Sequence, residues 1–256
     1  MRFVQKSNLP AGNVRLCAVG ERYKALIAVL EARGVACLRV PEYAGLPAPV
    51  ACHADLQLCH LGGPRIAAAA GRGREGFWKA LRQRGFSVET AAPLVPDYPG
   101  DVPLNCAIVG KVCLGGKDLI DKKITNYCGE AGIELIPVKQ GYAKCSVCVV
   151  DEHAIITQDP SIARAAEQYG LEALKIQNSQ IQLPGYDTGF IGGCSGLLGR
   201  KQLAFTGSLS SHPDGERIRA FLHSRGVEPL ELTDGPLYDV GSILPLMEAD
   251  GDEEES

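Results

Sequence analysis

Five glycines constrain this chain more than any other feature. Gly34, Gly85, Gly132, Gly170 and Gly226 each open a heptapeptide (34–40, 85–91, 132–138, 170–176 and 226–232) with apolar residues at matching places. Successive glycines are 51, 47, 38 and 56 residues apart. The spacing is irregular, but the local pattern persists, as expected of one supersecondary unit repeated along a chain. The segment before each glycine reads as an amphipathic helix. Tyr23, Leu26, Ile27 and Leu30 fall at i, i+3, i+4 and i+7, and Ile162, Ala165, Ala166 and Tyr169 repeat that spacing. Phe77/Leu81, Ile120/Ile124/Tyr127 and Ile218/Phe221/Leu222 mark the other three. Each helix is expected to stop at its glycine, where a left-handed residue closes the last turn. Asp159 and Pro160 predict a capped start for the fourth, and the polar run 208–214 predicts the entrance to the fifth.

Ahead of the helices lie short apolar runs that read as hairpins. Residues 145–150 and 154–157 flank a turn at Asp151 and Glu152; residues 190–198 and 202–206 flank one at Gly199 and Arg200. Runs 56–61 with 66–70, and 106–109 with 112–114, are shorter versions. Copies two to five therefore read strand–strand–helix–strand. The first lacks an opening strand, which the segment 242–247 can supply from the far end. A unit of this kind cannot bury its own apolar face, so five of them are expected to stack around an axis. The predicted fold class is α/β, a five-bladed propeller of ββαβ units in one domain, 1–247. An acidic tail, 248–256, is expected to be disordered: it holds Asp250, Asp252, Glu253, Glu254 and Glu255.

Composition narrows the partners. The 256 residues are 45% hydrophobic and 22% charged, enough for a sizeable core. A formal charge of −4 argues against a general nucleic-acid binder. No apolar run approaches the roughly 18 to 20 residues that span a bilayer, and residues 1–7 lack the apolar centre of a signal peptide. A cytoplasmic protein is expected, with its ten cysteines as thiols.

Five ββαβ units resemble the pentein fold, the propeller of the guanidine-group-modifying enzymes: amidinotransferases, deiminases and dimethylarginine dimethylaminohydrolases. The segments 141–146 (Gly-Tyr-Ala-Lys-Cys-Ser) and 186–196 (Tyr-Asp-Thr-Gly-Phe-Ile-Gly-Gly-Cys-Ser-Gly) resemble those of a bacterial branch that lacks the usual cysteine–histidine pair. The resemblance implies a cysteine nucleophile near the C-terminus, a histidine opening the fourth unit, and carboxylates that grip a guanidinium. This chain departs at the first two positions. No cysteine follows Cys194, the terminal segment offers only Ser242, and the fourth unit opens with Lys144 and Cys145.

The candidate chemistry therefore lies in the polar residues where each third strand leads into the next unit. Cys145 and Cys194 are alternative relocated nucleophiles; the structural reading of either is a buried apolar thiol. Asp55, Asn105, Lys144, Tyr186, Asp187, Asp239 and Ser242 are the candidate ligand-binding residues, with capping and turn chemistry as the alternative. The Cys145–Cys148 pair is read as lying along one strand, its sulfurs on opposite faces, so no metal site and no cofactor are expected. Glycines 189–199 lead into a strand rather than a helix, which favours close backbone packing near the axis over phosphate binding. Arg72, Arg74, Arg82 and Arg84 read as a solvated helix face. Two functions follow. The chain binds a small guanidinium- or amine-bearing ligand in an axial pocket, as a divergent hydrolase or transferase, or it is a noncatalytic interaction protein that uses the propeller as a rigid disc.

Overall fold

The computed structural model describes residues 1–250. Its five small sheets follow the repeat. Blade 1 holds β1 (Arg2–Phe3), β2 (Val14–Gly20), α1 (Lys24–Ala32) and β3 (Ala36–Val40). Blade 2 holds a one-turn helix α2 (Ala54–Gln57), β4 (Leu58–Gly62), β5 (Arg65–Ala70), α3 (Glu75–Gln83) and β6 (Ser87–Pro93). Blade 3 is β7 (Ala107–Val109), β8 (Val112–Gly116), α4 (Lys122–Ala131) and β9 (Glu134–Val138). Blade 4 is the one-turn helix α5 (Ala143–Ser146), β10 (Val147–Asp151), β11 (Ala154–Thr157), α6 (Pro160–Gln168) and β12 (Glu172–Lys175). Blade 5 is β13 (Ser195–Gly199), β14 (Gln202–Phe205), α7 (Gly215–Ser224) and β15 (Glu228–Glu231), after which the chain ends in β16 (Leu244–Glu248).

In each of blades 2 to 5 an antiparallel hairpin is followed by a helical crossover to a parallel third strand, as in β10–β11–α6–β12. Blade 1 takes its antiparallel partner from the C-terminal strand, β16 against β2. This is the closure expected of 242–247, displaced by one or two residues. β1 adds a further strand on the far side of β16, which the sequence pattern did not indicate.

The five repeat glycines all sit at positive φ, between 62° and 88°, just after their helices. Asp159 caps α6 as expected, its carboxylate accepting from the Ser161 and Ile162 amides. The entrance to α7 differs: the Asp214 side chain accepts instead from the Gln177 amide and Arg217, tying the helix start to the preceding blade. Arg74 is a second correction. It is buried, its guanidinium 4.8 Å from the Phe77 ring centroid and 5.6 Å from that of Tyr43, so it packs inward rather than joining a solvated face.

The apolar core is divided among the blade interfaces. One cluster joins blades 1 and 2 through Leu38, Ile66 and Leu81, another joins blades 2 and 3 through Leu61, Ile108 and Ile124. Blades 3 and 4 meet at Leu114, Ile136 and Ile155; blades 4 and 5 meet at Ile156, Leu203 and Phe205. The ring closes where Val19 and Leu30 of blade 1 pack on Leu198 and Ala204 of blade 5. Each blade thus buries both faces only by having two neighbours.

The N-terminal segment crosses the hairpin end of the axis. The Val4 carbonyl accepts from Gly63 of blade 2, Asn8 donates to the Ile108 carbonyl of blade 3, and Lys6 pairs with Glu152 of blade 4. Glu248, which the sequence reading gave to the tail, is instead the last residue of β16 and 1% exposed, held by Arg2 and by the amides of Ala11 and Gly12. The rest of the acidic tail, from residue 251, lies outside the described residues.

His60 shows what this tight packing does to a titratable group. Its Nε2 faces the Gly63 carbonyl at 3.0 Å, its Nδ1 has no partner, and burial pulls its pKa down to about 4. A folded pKa below the unfolded value means the unfolded chain binds the extra proton between about 6.5 and 4, so stability is lost as pH falls through that window. His60→Gln is expected to shrink the stability difference between pH 7 and pH 4.5 by about 2 kcal/mol, read from urea unfolding at the two pH values. An unchanged difference would show that His60 does not carry this dependence.

Candidate functional site

The chain returns to the axis in one-turn helices and glycine-rich loops, and these deliver most of the candidate residues to a single buried hub. Cys145 stands on α5, not on a strand as the sequence reading had it, because the turn 143–146 precedes β10. It therefore enters the hub, while Cys148 sits on β10 in the apolar interface between blades 4 and 5. Asp55 arrives on the matching turn α2 of blade 2, and its amide is held by the Gly241 carbonyl. Ser242 comes from the loop before β16, with φ at 70°, a left-handed backbone that is uncommon for a residue with a side chain.

These groups form one network. The Cys145 thiol lies 3.2 Å from Asp55 Oδ2, and Ser242 Oγ lies 2.6 Å from the same oxygen. Asn105 spans the pair: its amide nitrogen donates to Cys145 Sγ at 3.1 Å and to the Asp55 carbonyl at 2.9 Å, and its oxygen accepts from the Cys145 amide. Lys144 Nζ donates to Ser242 Oγ at 2.9 Å. Asp239 accepts from the amides of Phe190 and Gly241, and His53 Nδ1 lies 3.8 Å from its Oδ1. His53 Nε2 meets the Tyr23 hydroxyl at 3.1 Å.

The electrostatics follow from burial. Asp55 is 0% exposed and Asp239 is 1% exposed. Desolvation pushes the Asp55 carboxyl above its usual range and raises Asp239 to about 6. Burial also lowers His53 to about 4, so it is neutral at neutral pH. Ser242 Oγ has a single proton and two close acceptors, Asp55 Oδ2 and the Gly192 carbonyl at 2.8 Å. The Cys145 thiol is pushed well above its ordinary value, first by burial and then by the charges of Asp55 and Asp239. This environment favours the protonated thiol over the thiolate that nucleophilic attack uses.

Cys194 is a different case. It is fully buried, its sulfur donates to the Ile191 carbonyl, and burial and Asp239 raise its pKa well above normal. It packs in the apolar interface of blades 4 and 5. Tyr186 and Asp187 do not join the hub network; both lie exposed on the loop before β13. Of the candidates, then, the fold gathers Asp55, Asn105, Lys144, Cys145, Asp239 and Ser242, and leaves Cys194 beside them and Tyr186 and Asp187 outside.

The hub has little free space. The cavity that touches Lys144, lined also by Asn8, Ser195 and Ile243, has a volume of about 10 Å³, at the lower limit for one water. Among the described residues, no three His, Cys, Asp or Glu side chains converge as a metal site needs. No described helix is long and apolar enough to cross a membrane.

A second polar feature was not visible in the sequence. On the loop side of the ring, the Tyr142 hydroxyl donates to Asp101 Oδ2 at 2.6 Å. The Tyr142 ring lies 5.8 Å from that of Tyr98 and stacks at 6.2 Å on Phe190. Three separate loops supply these residues, so no local motif marks them.

Comparison with known proteins places the chain. The inosamine-phosphate amidinotransferase StrB1 of Streptomyces griseus superposes with a TM-score of 0.59 at 12% identity, covering 98% of this chain and 99% of that one. SxtG, an amidinotransferase of Microseira wollei from the saxitoxin biosynthetic pathway, gives 0.55 at 13% identity over 97% and 98%. DDAH from Pseudomonas aeruginosa, in a cysteine-to-serine variant complexed with citrulline, gives 0.54 at 11% identity over 92% and 100%. Identities this low establish a shared fold, the pentein propeller expected from the repeat, and not a shared activity. No curated protein matches the chain by sequence. A family model matches residues 18–244, described as a family of unknown function (DUF6873). With nearly all of the ring inside that match, the chain belongs to the family DUF6873 and is built on the propeller of the guanidine-modifying enzymes.

Proposed function

We propose that this chain is a noncatalytic binding member of the guanidine-modifying fold, whose axial network holds the ring rigid and whose loop face carries recognition. The observation that supports this reading is the state of Asp55. In an enzyme that grips a cationic guanidinium, hub carboxylates must face an open cleft and lack an internal partner. Here Asp55 Oδ2 is engaged by Ser242 and Cys145, and the Lys144 ammonium reaches the same serine. Asp55 Oδ1 has no partner but is itself closed off from solvent, and Lys144 stands one hydroxyl away, on Ser242. The thiol next to it is held protonated by burial and two carboxylates.

A second reading, a divergent hydrolase, rests on Ser242. It stands near the C-terminus, where the resemblance implies the nucleophile, with a left-handed backbone and Lys144 at 2.9 Å. Strain of that kind gathers at active sites. Against it, Lys144 donates to the serine rather than accepting from it, and Ser242 is 0% exposed.

One experiment separates the two. The protein is incubated with arginine, agmatine and methylated arginines at neutral pH, and ureido product and released amine or ammonia are measured. No product above the protein-free control is expected. In parallel, alkylation of Cys145 in the native protein, followed by mass spectrometry, is expected to run at least about tenfold slower than in unfolded chain, since only thiolate reacts. Turnover that Ser242→Ala or Cys145→Ala abolishes would overturn the noncatalytic reading.

A further inference from the structure

We infer that Cys17 and Cys37 form a redox-modifiable dithiol, which a peroxide converts to a disulfide between β2 and β3 of blade 1, with Cys37 reacting first. The pair takes no part in the hub network, and its chemistry needs neither a ligand nor turnover. The geometry comes from the sheet. Cys17 and Cys37 are direct partners in the parallel ladder of β2 and β3. Neighbouring strands run about 4.8 Å apart, inside the roughly 4.4–6.8 Å between Cα atoms that a disulfide spans. The two sulfurs already lie 3.9 Å apart, and both side chains pack on the cluster that joins blades 1 and 5. Closing them to about 2.05 Å requires a small movement. β3 can supply it, because it is the edge strand of its sheet and, among the described residues, pairs with β2 alone.

Access singles out one sulfur of the pair. All ten cysteines are free thiols; nine are buried, and Cys37 alone is part-exposed. An oxidant in solution therefore meets Cys37 and not Cys17, which is 0% exposed. Cys59 and Cys106 provide a contrast within the same molecule. Their sulfurs are also 3.9 Å apart, but both residues are buried, and both thiols are held well above their ordinary pKa.

The two thiols of the exposed pair are unequal. A hydrogen bond from Cys17 lowers the Cys37 pKa, against burial and the Glu31 charge and with a smaller contribution from Arg39. The same contact, with burial, raises Cys17 well above its usual value. Cys17 thus keeps its proton, while Cys37 gains the thiolate character that attack needs.

With hydrogen peroxide as oxidant, the Cys37 thiolate attacks one oxygen and breaks the O–O bond. Cys37 becomes a sulfenic acid, and the departing hydroxide takes up the proton that Cys37 had lost. The Cys17 sulfur then attacks the Cys37 sulfur, and the sulfenic hydroxyl leaves with the Cys17 proton as water. Two thiols and one peroxide give one disulfide and two waters, with sulfur oxidised and peroxide oxygen reduced. A dithiol reductant reverses the change by exchange.

The test treats the folded full chain with a few equivalents of hydrogen peroxide at neutral pH. Remaining thiols are alkylated in denaturant, and linked peptides are identified by mass spectrometry. The Cys17–Cys37 link is expected to form at least about tenfold faster than a Cys59–Cys106 link, and dithiothreitol should restore both thiols. Cys17→Ala should leave Cys37 as a sulfenic acid that dimedone traps. Cys37→Ser, at the part-exposed position, leaves the core intact and should abolish both the link and the dimedone adduct. The urea midpoint of the oxidised protein is expected to equal or exceed that of the reduced one, since the link closes a loop in the native ring. Equal rates for the two pairs, an unlinked Cys37 driven on to sulfinic acid, or a lowered midpoint would overturn the inference.

Discussion

Asp55→Ala is expected to destabilise the protein by about 3–5 kcal/mol at pH 7, the cost of breaking a buried polar network by removing one partner. The change strands three groups together. The Ser242 hydroxyl and the Cys145 thiol lose their shared acceptor, and Lys144 is left bonded to a serine that has lost its carboxyl partner. None can turn to solvent, because Ser242, Cys145 and Lys144 are all buried. Asp55→Asn should cost less, since it keeps the volume and one acceptor oxygen. The two variants also differ with pH. Because the folded carboxyl of Asp55 titrates above its unfolded value, its contribution is complete at low pH and is lost as pH rises through the folded pKa. Asparagine imitates the protonated acid, so the penalty of Asp55→Asn should shrink as pH rises. Urea unfolding of the three proteins from pH 5 to pH 8 measures both effects. A loss below about 1 kcal/mol for Asp55→Ala would mean that the hub network does not hold the ring, and it would remove the structural role proposed for it.

The ring was legible in the sequence because its signals are local. A glycine that ends a helix, an Asp-Pro that begins one and a run that alternates or stays apolar are each decided by a few neighbouring residues. Gly34, Asp159 and the strands around Asp151 behave as those rules require. The closure by β16 could be inferred because one blade lacked a strand and one strand lacked a blade. The errors arose where a short turn interrupts an apolar run. Residues 145 and 146 were read as opening one strand and 56 and 57 as opening another, although each pair lies on a single helical turn, and these turns aim Cys145 and Asp55 at the axis. Hydrophobicity cannot distinguish such a turn from the strand it precedes, and that distinction decides whether a cysteine enters the hub or an apolar interface.

The network itself was less legible. Asp55, Asn105, Cys145 and Ser242 come from four separate segments, and Ser242 meets Asp55 across 187 residues. Composition named the members without showing who pairs with whom. Arg74 was misread for the same reason: four arginines near one helix suggest a solvated face, and only the fold places Tyr43 from blade 1 over one of them. Asp101 and its aromatic neighbours carry no pattern at all, since Tyr98, Tyr142, Tyr186 and Phe190 meet only through tertiary structure.

The glycines around the hub give the second large effect, and they explain why the axis can close. A side chain at Gly192 would place its Cβ 2.4 Å from the carbonyls of Lys144 and Val147 and 2.6 Å from that of Cys145. At Gly196 it would meet the Ile243 carbonyl at 2.0 Å. Neither position has a positive φ, so the requirement is for space and not for backbone freedom. The obstacles are backbone atoms, which cannot rotate aside. Gly192→Ala must therefore push α5 away from the loop that carries Ser242's acceptor, and Gly196→Ala must push the start of β16 off β13. Each is expected to cost about 3 kcal/mol or more, at or beyond the upper end for overpacking. Gly129→Ala is the contrasting case: its Cβ would meet nothing within 4 Å, and it lies inside α4, so it should stabilise by about 0.5 kcal/mol. Thermal or urea unfolding of the three variants checks the ordering. If Gly192→Ala were tolerated within about 1 kcal/mol, the hub would have room to open, and the axial pocket for a small cation would again become the stronger reading of this fold.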